Sequence, residues 1–425
     1  MRPTKRDGNL LERARAVIPG GMYGHQSTAR MPEGTPQFFG RSHGTRVWDA
    51  DGNCYIDMMS AYGPNLLGYG HAGIDAVIRE QMALGDTMTG PGPVMVDLAE
   101  ALVGMIGHAD WAMFCKNGAD ATSMAMVTAR AHTGRRKVLI AKGAYHGAAP
   151  WNTPRPAGTL PEDRAHIVYF EYNDLQSLTD AARAVQGDLA AVFATPFRHD
   201  TFADQSVLDP DYARGVRAIC DAHDAVLVVD EVRAGFRLSR DCTWDSIGVQ
   251  PDLSAWGKVL GNGQPISALL GKEHLRAAAS EIFVTGSFWF SAVPMVAALE
   301  TLRLVRETDY LEKLTETGTY LRDALAKQAQ SHGFGLRQTG PATMPMILFE
   351  EDPDFRFGYH WCRIAMKNGL WLSPYHNMFI NGAMTLADMD EALEKTEIAF
   401  LDLKKNRANV PPVAALMPKA QLAIK

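Results

Sequence analysis

The run Ala225-Val226-Leu227-Val228-Val229 ends in Asp230, and no other segment constrains the fold as strongly. Consecutive apolar residues leave no face for water. Such a run suits a strand buried on both sides of a parallel sheet, whereas a half-exposed strand would alternate. Ligands of open α/β sheets bind beyond the carboxyl ends of their strands. The Asp230 carboxylate therefore falls where such a fold does its chemistry. Further on, Pro251-Asp252 leads to Gly257-Lys258 and then to the glycine-rich Gly261-Asn262-Gly263-Gln264-Pro265.

The rest of the chain agrees with a layered α/β plan. Strand-like runs at 112–115, 137–141, 166–170, 189–195, 225–230 and 266–270 are separated by helical periods, among them 119–132 and 208–223. This alternation predicts a mostly parallel, doubly wound sheet with helices on both faces. Residues 8–18 read as a short helix stopped by Pro19-Gly20-Gly21. Two alternating runs around Ala50-Asp51-Gly52-Asn53 read as a β-hairpin. From 294 onward helical spacing returns at 294–305 and 310–328, with strand-like pieces near 344–349 and 369–373 and a helix near 386–404. The expected plan is a large central domain, residues 63–293. A smaller α+β domain is built from both chain ends, 1–62 and 294–425, with an extended tail from Ala408.

Bulk properties narrow the function classes. A chain of 425 residues with 46% hydrophobic and 21% charged residues can bury a large interior. The net charge of -6 gives no sign of nucleic-acid binding. No stretch is long and apolar enough to suggest a membrane span. The five cysteines are scattered without a Cys-x-x-Cys pair, so neither a zinc site nor a disulfide framework is indicated. A cytoplasmic, reducing location is expected.

Several residues carry chemistry when read together. Asp230 at a strand end and Lys258 before a glycine-rich turn form a pair of the kind pyridoxal phosphate chemistry requires. The carboxylate keeps a pyridine nitrogen protonated, and the lysine forms an imine and later shuttles protons. Read alone, Asp230 is equally a helix N-cap and Lys258 a solvent-facing lysine. Asn117-Gly118-Ala119 opens the helix at 119–132, and a glycine at a helix N-terminus offers backbone N–H groups to an anion. Tyr145 follows the strand at 137–141 and could stack on a planar ring or simply pack in the core. His146, beside it, reads as structural.

These segments together resemble the class III, fold-type I pyridoxal-phosphate aminotransferases, with the glutamate-1-semialdehyde aminomutase-like branch nearest. The resemblance runs from about 8 to 402. It rests on Val229-Asp230-Glu231-Val232, Pro251-Asp252, Gly257-Lys258 and Gly261-Asn262-Gly263-Gln264-Pro265. Ile18-Pro19-Gly20-Gly21 and Trp48-Asp49-Ala50-Asp51-Gly52 with Tyr55-Ile56-Asp57 support it. The resemblance implies that Lys258 holds pyridoxal 5'-phosphate as an imine and that Asp230 binds the pyridine nitrogen. It places Val232 and Tyr145 on opposite ring faces, and Asn117, Gly118 and Ala119 around the phosphate. Ser287 falls where a residue reaches the neighbouring subunit's phosphate, so a homodimer with shared active sites is implied. The activity implied is transfer of an amino group from an amine or amino acid donor to a carbonyl acceptor. Intramolecular transfer of the aminomutase type is the alternative.

The departures from the family concern the substrate. Ser27 stands where the aminomutase has an arginine, with Arg30 close behind. Thr195-Pro196 replaces the Glu-Pro pair of many 2-oxoglutarate users, and the loop Tyr375-His376-Asn377-Met378-Phe379-Ile380-Asn381 lacks their arginine. Tyr62, Trp289 and Trp256 add aromatic character. The expected substrate side is thus neutral and aromatic, with Ser27, Arg30, Tyr62, Trp289 and His376 as its candidate residues.

Overall fold

The computed structural model describes residues 5–417, and they divide into two compact units. The large unit comprises Ala72–Arg198 and Ser206–Leu311, and the small unit, among the described residues, 5–71, His199–Gln205 and 312–417.

The large unit is built on a seven-stranded sheet. Its strands in chain order are β1 Trp111–Cys115, β2 Lys137–Ala141, β3 Ile167–Phe170, β4 Leu189–Ala194, β5 Val226–Asp230, β6 Leu253–Trp256 and β7 Ser267–Gly271. Their order across the sheet is β1-β7-β6-β5-β4-β2-β3. β7 runs antiparallel to both neighbours, and the other pairings are parallel. Every residue of β4 and β5 is buried, as an unbroken apolar run requires of a central strand. The helix Gly118–Thr133 covers one face, setting Ala121, Met124, Ala125 and Ala129 against Val138, Ile140, Phe193, Val226 and Val228. Small residues on that helix let it approach closely enough for the sheet's branched side chains to fill the layer.

β6 has no counterpart among the sequence-derived strands. Its residues Leu253-Ser254-Ala255-Trp256 are all buried, but serine and alanine break the apolar run that reveals its neighbours. Ser254 is accommodated because its hydroxyl bonds both His108 Nε2, at 2.8 Å, and the Trp256 indole N–H, at 2.7 Å. Asp252, just before β6, accepts the Leu227 N–H at 2.8 Å and pairs with Arg217 at 2.8 Å, which locks β6 beside β5. The Pro-Asp element of the sequence motif is thus a strand clamp.

The unit boundaries differ from the expected 62/63 and 293/294. The chain divides at His71/Ala72 and Leu311/Glu312 instead. The helix Ala292–Glu307, expected to open the small domain, packs against helices Ala72–Leu84 and Val94–Met105 of the large unit. Val293, Met295, Leu302 and Val305 are among its buried residues.

The small unit holds a four-stranded sheet of Phe39–His43, Arg46–Asp49, Cys54–Asp57 and Leu370–Trp371. The hairpin expected around Ala50–Asn53 is present. Asp49 shapes it by accepting the N–H groups of Asp51 and Asn53, at 2.9 and 2.8 Å, while Tyr55 donates its hydroxyl at 2.9 Å. Helices Arg356–Lys367 and Leu386–Asn406 pack together over a cluster of Phe334, Phe349, Trp361 and Phe400. The tail expected to be extended from Ala408 instead contains short helical turns at Arg407–Asn409 and Val413–Leu416, and residues 418–425 lie outside the described residues.

Candidate active site

Asp230 closes β5, at the carboxyl edge of the parallel strands, with its side chain buried. One carboxylate oxygen accepts the Val232 N–H at 3.0 Å. The other lies 2.8 Å from Nδ1 of the fully enclosed His146. With Nδ1 as donor, His146 fixes the plane of the carboxylate. Its imidazole is wedged between Trp151 and Phe193, so the orienting bond cannot swing away. His146, read from sequence as structural, is in fact the partner of the principal acid.

The segments 117–119, 145–147 and 230–232 are drawn together by close backbone approach. A Cβ on Gly118 would sit 2.5 Å from the Val232 side chain, and one on Gly147 would sit 2.5 Å from the Ala119 Cβ. Gly147 also adopts φ +110°, a region hostile to other residues. Thr122 ties the two loops by donating its hydroxyl to the His146 carbonyl at 2.6 Å.

Asn117 precedes the helix that begins at Gly118. Its own N–H is occupied by Asp120, at 3.0 Å. The N–H groups of Gly118 and Ala119 stand at the first helical positions, where no intrahelical acceptor exists. Among the described residues they have no protein acceptor. The amides of Gly118 and Ala119, with the helix dipole behind them, form a cradle for an anion. Asn117 supports the cradle, and its backbone amide is not available to it.

Lys258 follows Gly257, whose Cβ would collide with the Ser267 hydroxyl at 2.5 Å. Lys258 itself has φ +47°, a conformation that costs a non-glycine residue roughly 1–3 kcal/mol. Its amine is pushed down to about 7, first by burial and then by the Arg233 and Arg237 cations, with Asp230 opposing. At neutral pH much of it is therefore the free amine that imine formation needs. The two arginines carry no signal in hydropathy or spacing and were not identified from sequence. Both are themselves pushed down by burial, Arg233 to about 10 and Arg237 to about 9.

Tyr145 is partly exposed, and burial raises its hydroxyl, with Arg233 and Asp230 as its charged neighbours. Val232 and Trp289 pack against the sheet core from its rim. Ser287 lies in an exposed turn flanked by Phe283, Phe288 and Phe290, all exposed. Trp256, expected to colour the substrate side, is instead fully buried under the turn after β5, against Phe236 at 4.8 Å between ring centroids.

The remaining candidates belong to the small unit. Ser60, Ala61 and Tyr62 have φ of +44°, +55° and +65° in succession. Three non-glycine residues in the left-handed region amount to several kcal/mol of strain, roughly 1–3 each. The turn is held by the Asp57 carboxylate, which accepts the Met59 N–H at 2.8 Å, and by Asn381, which donates to the Ser60 hydroxyl at 3.0 Å. The Tyr62 ring meets His25 and His376 edge to face, at 4.9 and 5.3 Å between centroids. His376 Nδ1 lies 2.7 Å from the Asn377 carbonyl, which assigns that nitrogen as donor. Ser27 caps the short helical turn Thr28–Arg30, and Arg30 is exposed.

The large unit thus gathers a carboxylate oriented by a histidine, two amides open to an anion and a lysine whose amine is pushed down to about 7. This donor set fits pyridoxal phosphate: an acid for the pyridine nitrogen, a cradle for the phosphate and an amine for the aldehyde. The class III aminotransferase family model matches residues 28–400, and the chain belongs to that family. It is 59% identical to an aminopentol aminotransferase of Sphingopyxis macrogoltabida, over 98% of each chain. It is 32% identical to a 3-aminobutyryl-CoA aminotransferase of Cloacimonas acidaminovorans, over 94% of this chain and 98% of that one. The solved pyridoxal-phosphate internal aldimine form of the FumI protein of Sphingopyxis sp. MTA144 superposes with a TM-score of 0.96 at 59% identity, covering 97% of this chain and 100% of that one. The protein is an aminotransferase that uses pyridoxal phosphate to move an amino group from an amine donor to a carbonyl acceptor.

Proposed function

We propose that the amino donor is a carboxylate-free amine carrying several hydroxyl groups, of the amino-polyol class. The observation that carries this reading is the 59% identity, over nearly the whole chain, to an aminopentol aminotransferase. The residues of the small unit support it. Ser27, Tyr62 and His376 offer neutral hydrogen-bonding and aromatic groups, as a polyol requires. Arg30 is exposed, and neither the 375–381 loop nor Thr195 supplies the charges used for a dicarboxylate. The aminomutase alternative has less support, because relatives at 59% and 32% identity are both named aminotransferases.

Bound pyridoxal phosphate supplies an electron sink for the carbanion at the donor's amine-bearing carbon. In this reading Lys258 would hold the cofactor's aldehyde and would move a proton at the donor carbon. Asp230, held by His146, would keep the pyridine nitrogen protonated. Tyr145 and Val232 would pack on the ring. Gly118 and Ala119 would hold the phosphate, and Ser287 would serve the site of a second copy. The exposed Phe283, Phe288 and Phe290 around Ser287 support a homodimer, because so concentrated an apolar surface favours burial. Five free cysteines fit the cytoplasm. Among the described residues no helix is long and apolar enough to cross a membrane.

The test is a donor half-reaction on the purified pyridoxal form, following loss of its visible absorbance. Aliphatic amino-polyols should bleach it faster than α- or β-amino acids of similar length. Bleaching by carboxylate-bearing donors alone would overturn the proposal.

A further inference from the structure

Trp256 closes β6, directly before Gly257 and Lys258, and its indole is buried. The ring is fixed from two sides. Its N–H can only donate, so the Ser254 hydroxyl accepts it, at 2.7 Å, and gives its own proton to His108 Nε2, 2.8 Å away. His108 is pushed down to about 4, by burial and then by Lys272, with Asp245, Asp252 and Asp110 opposing. The lock therefore keeps one protonation state through neutral pH. On its other side the indole lies in the space that Gly235 leaves. A Cβ there would sit 2.7 Å from the ring and 2.8 Å from the Glu231 carbonyl. Phe236 packs on the indole at 4.8 Å between centroids, with φ +57°, and its carbonyl accepts the Tyr310 hydroxyl at 2.6 Å. The turn seated in this way carries Arg233 just before that corner and Arg237 just after it. These are the two cations that act on Lys258, with Asp230 opposing them. Long side chains keep one placement only when their support is locked by packing and hydrogen bonds. Trp256 meets the arginine-bearing turn with its ring and is joined to the lysine through one glycine.

We propose that Trp256 is a positioning residue for Lys258: its indole, locked by Ser254 and His108, seats the Gly235–Phe236 corner and so holds Arg233 and Arg237 where they act on the lysine amine. The proposal rests on the reading of Lys258 as the residue that takes up the cofactor.

The experiment follows the visible band formed as apoprotein takes up pyridoxal phosphate, across pH. In the parent the rate should rise through about pH 7. Trp256→Phe should move that inflection up by about one pH unit, the lower end of the effect of a nearby charge. Uptake should then fall roughly fivefold at about pH 7 and match the parent near about pH 9.5, where the amine is neutral in both proteins. Ser254→Ala, which removes only the lock, should move the inflection the same way by less. With Arg233→Met and Arg237→Met already in place, Trp256→Phe should add no shift. Glu231, at the foot of the turn, has its own carboxyl raised to about 7 by burial, so the shift should persist beside Glu231→Gln. A lowered thermal midpoint with an unmoved inflection would reduce Trp256 to core packing and overturn the proposal. A shift that survives loss of both arginines, or that vanishes with Glu231→Gln, would overturn it as well. Parent-like pH dependence in Lys258→Ala would overturn the reading of Lys258 and this proposal with it, whereas an unmoved inflection in Trp256→Phe overturns the proposal alone. Should Trp256→Phe not fold, Ser254→Ala carries the same test.

Discussion

The large unit and the small unit treat their candidate residues differently. In the large unit the groups sit in a closely packed frame: Asp230 is held by His146, the Tyr145–Gly147 loop by Thr122, and Lys258 follows a glycine with no room for a side chain. In the small unit the candidates sit on a strained turn and on loops, where the Tyr62 ring meets those of His25 and His376 edge to face. The first arrangement suits a permanent cofactor whose atoms always occupy the same places. The second suits a substrate, because ring contacts and neutral hydrogen bonds can change between relatives without touching the chemistry.

The largest effect should come from the residue on which the first arrangement turns. Lys258→Ala should lower turnover by at least about 10⁴-fold, since covalent attachment and proton transfer are lost together. Parent-like turnover without added amine would break the contrast at its centre. Next, Asp230→Asn should lower kcat by about 10²- to 10³-fold, the scale for removing a preorganised charge at a reacting system. His146→Phe, which removes only the orienting bond, should cost less, and its visible band should shift although Lys258 is intact. Gly147→Ala should destabilise the protein by about 2–4 kcal/mol in urea unfolding, combining a positive φ with a clash against Ala119. Tyr62→Phe belongs to the small unit and should change the KM for the donor by only a few fold, leaving the spectrum of the cofactor alone. An altered spectrum in that variant would show that the two regions are not separable.

The lysine also sets a pH dependence. With its amine at about 7 rather than the ordinary 10.5, the neutral, nucleophilic form dominates above pH 7 and the protonated form below it. The rate at which apoprotein takes up pyridoxal phosphate should therefore rise through about pH 7 and level off well before pH 9. Arg233→Met removes one of the cations that depress the amine, so the inflection should move to higher pH. A profile still rising steeply at pH 9 in the parent would show that burial and the two arginines do not act as described.

Much of the large unit was legible in the sequence because its signals are steric. An apolar run with a terminal carboxylate describes a doubly buried strand, and β5 is that strand. Gly118, Gly147 and Gly257 are places where a Cβ has no room. What escaped was encoded in partnerships between distant residues. β6 was missed because Ser254 is polar in isolation and is satisfied only by His108 and Trp256. His146 looked like filler because its partner is far away in the chain. Arg233 and Arg237 were not identified from sequence, and only packing reveals that their charges lower the Lys258 amine. Trp256 was expected near the substrate because of its neighbour in sequence, yet it is buried against Phe236 under the turn after β5. In the small unit the absent arginines were readable as departures, while the left-handed turn at Ser60–Tyr62 has no glycine to announce it.

The most direct test of the cofactor assignment is borohydride reduction of the purified holoenzyme, followed by peptide mapping. Reduction converts an imine into a stable secondary amine and marks the attached lysine. A single pyridoxyl group on Lys258 is the predicted result. A label on Lys116 or another lysine, or none on any, would contradict the account.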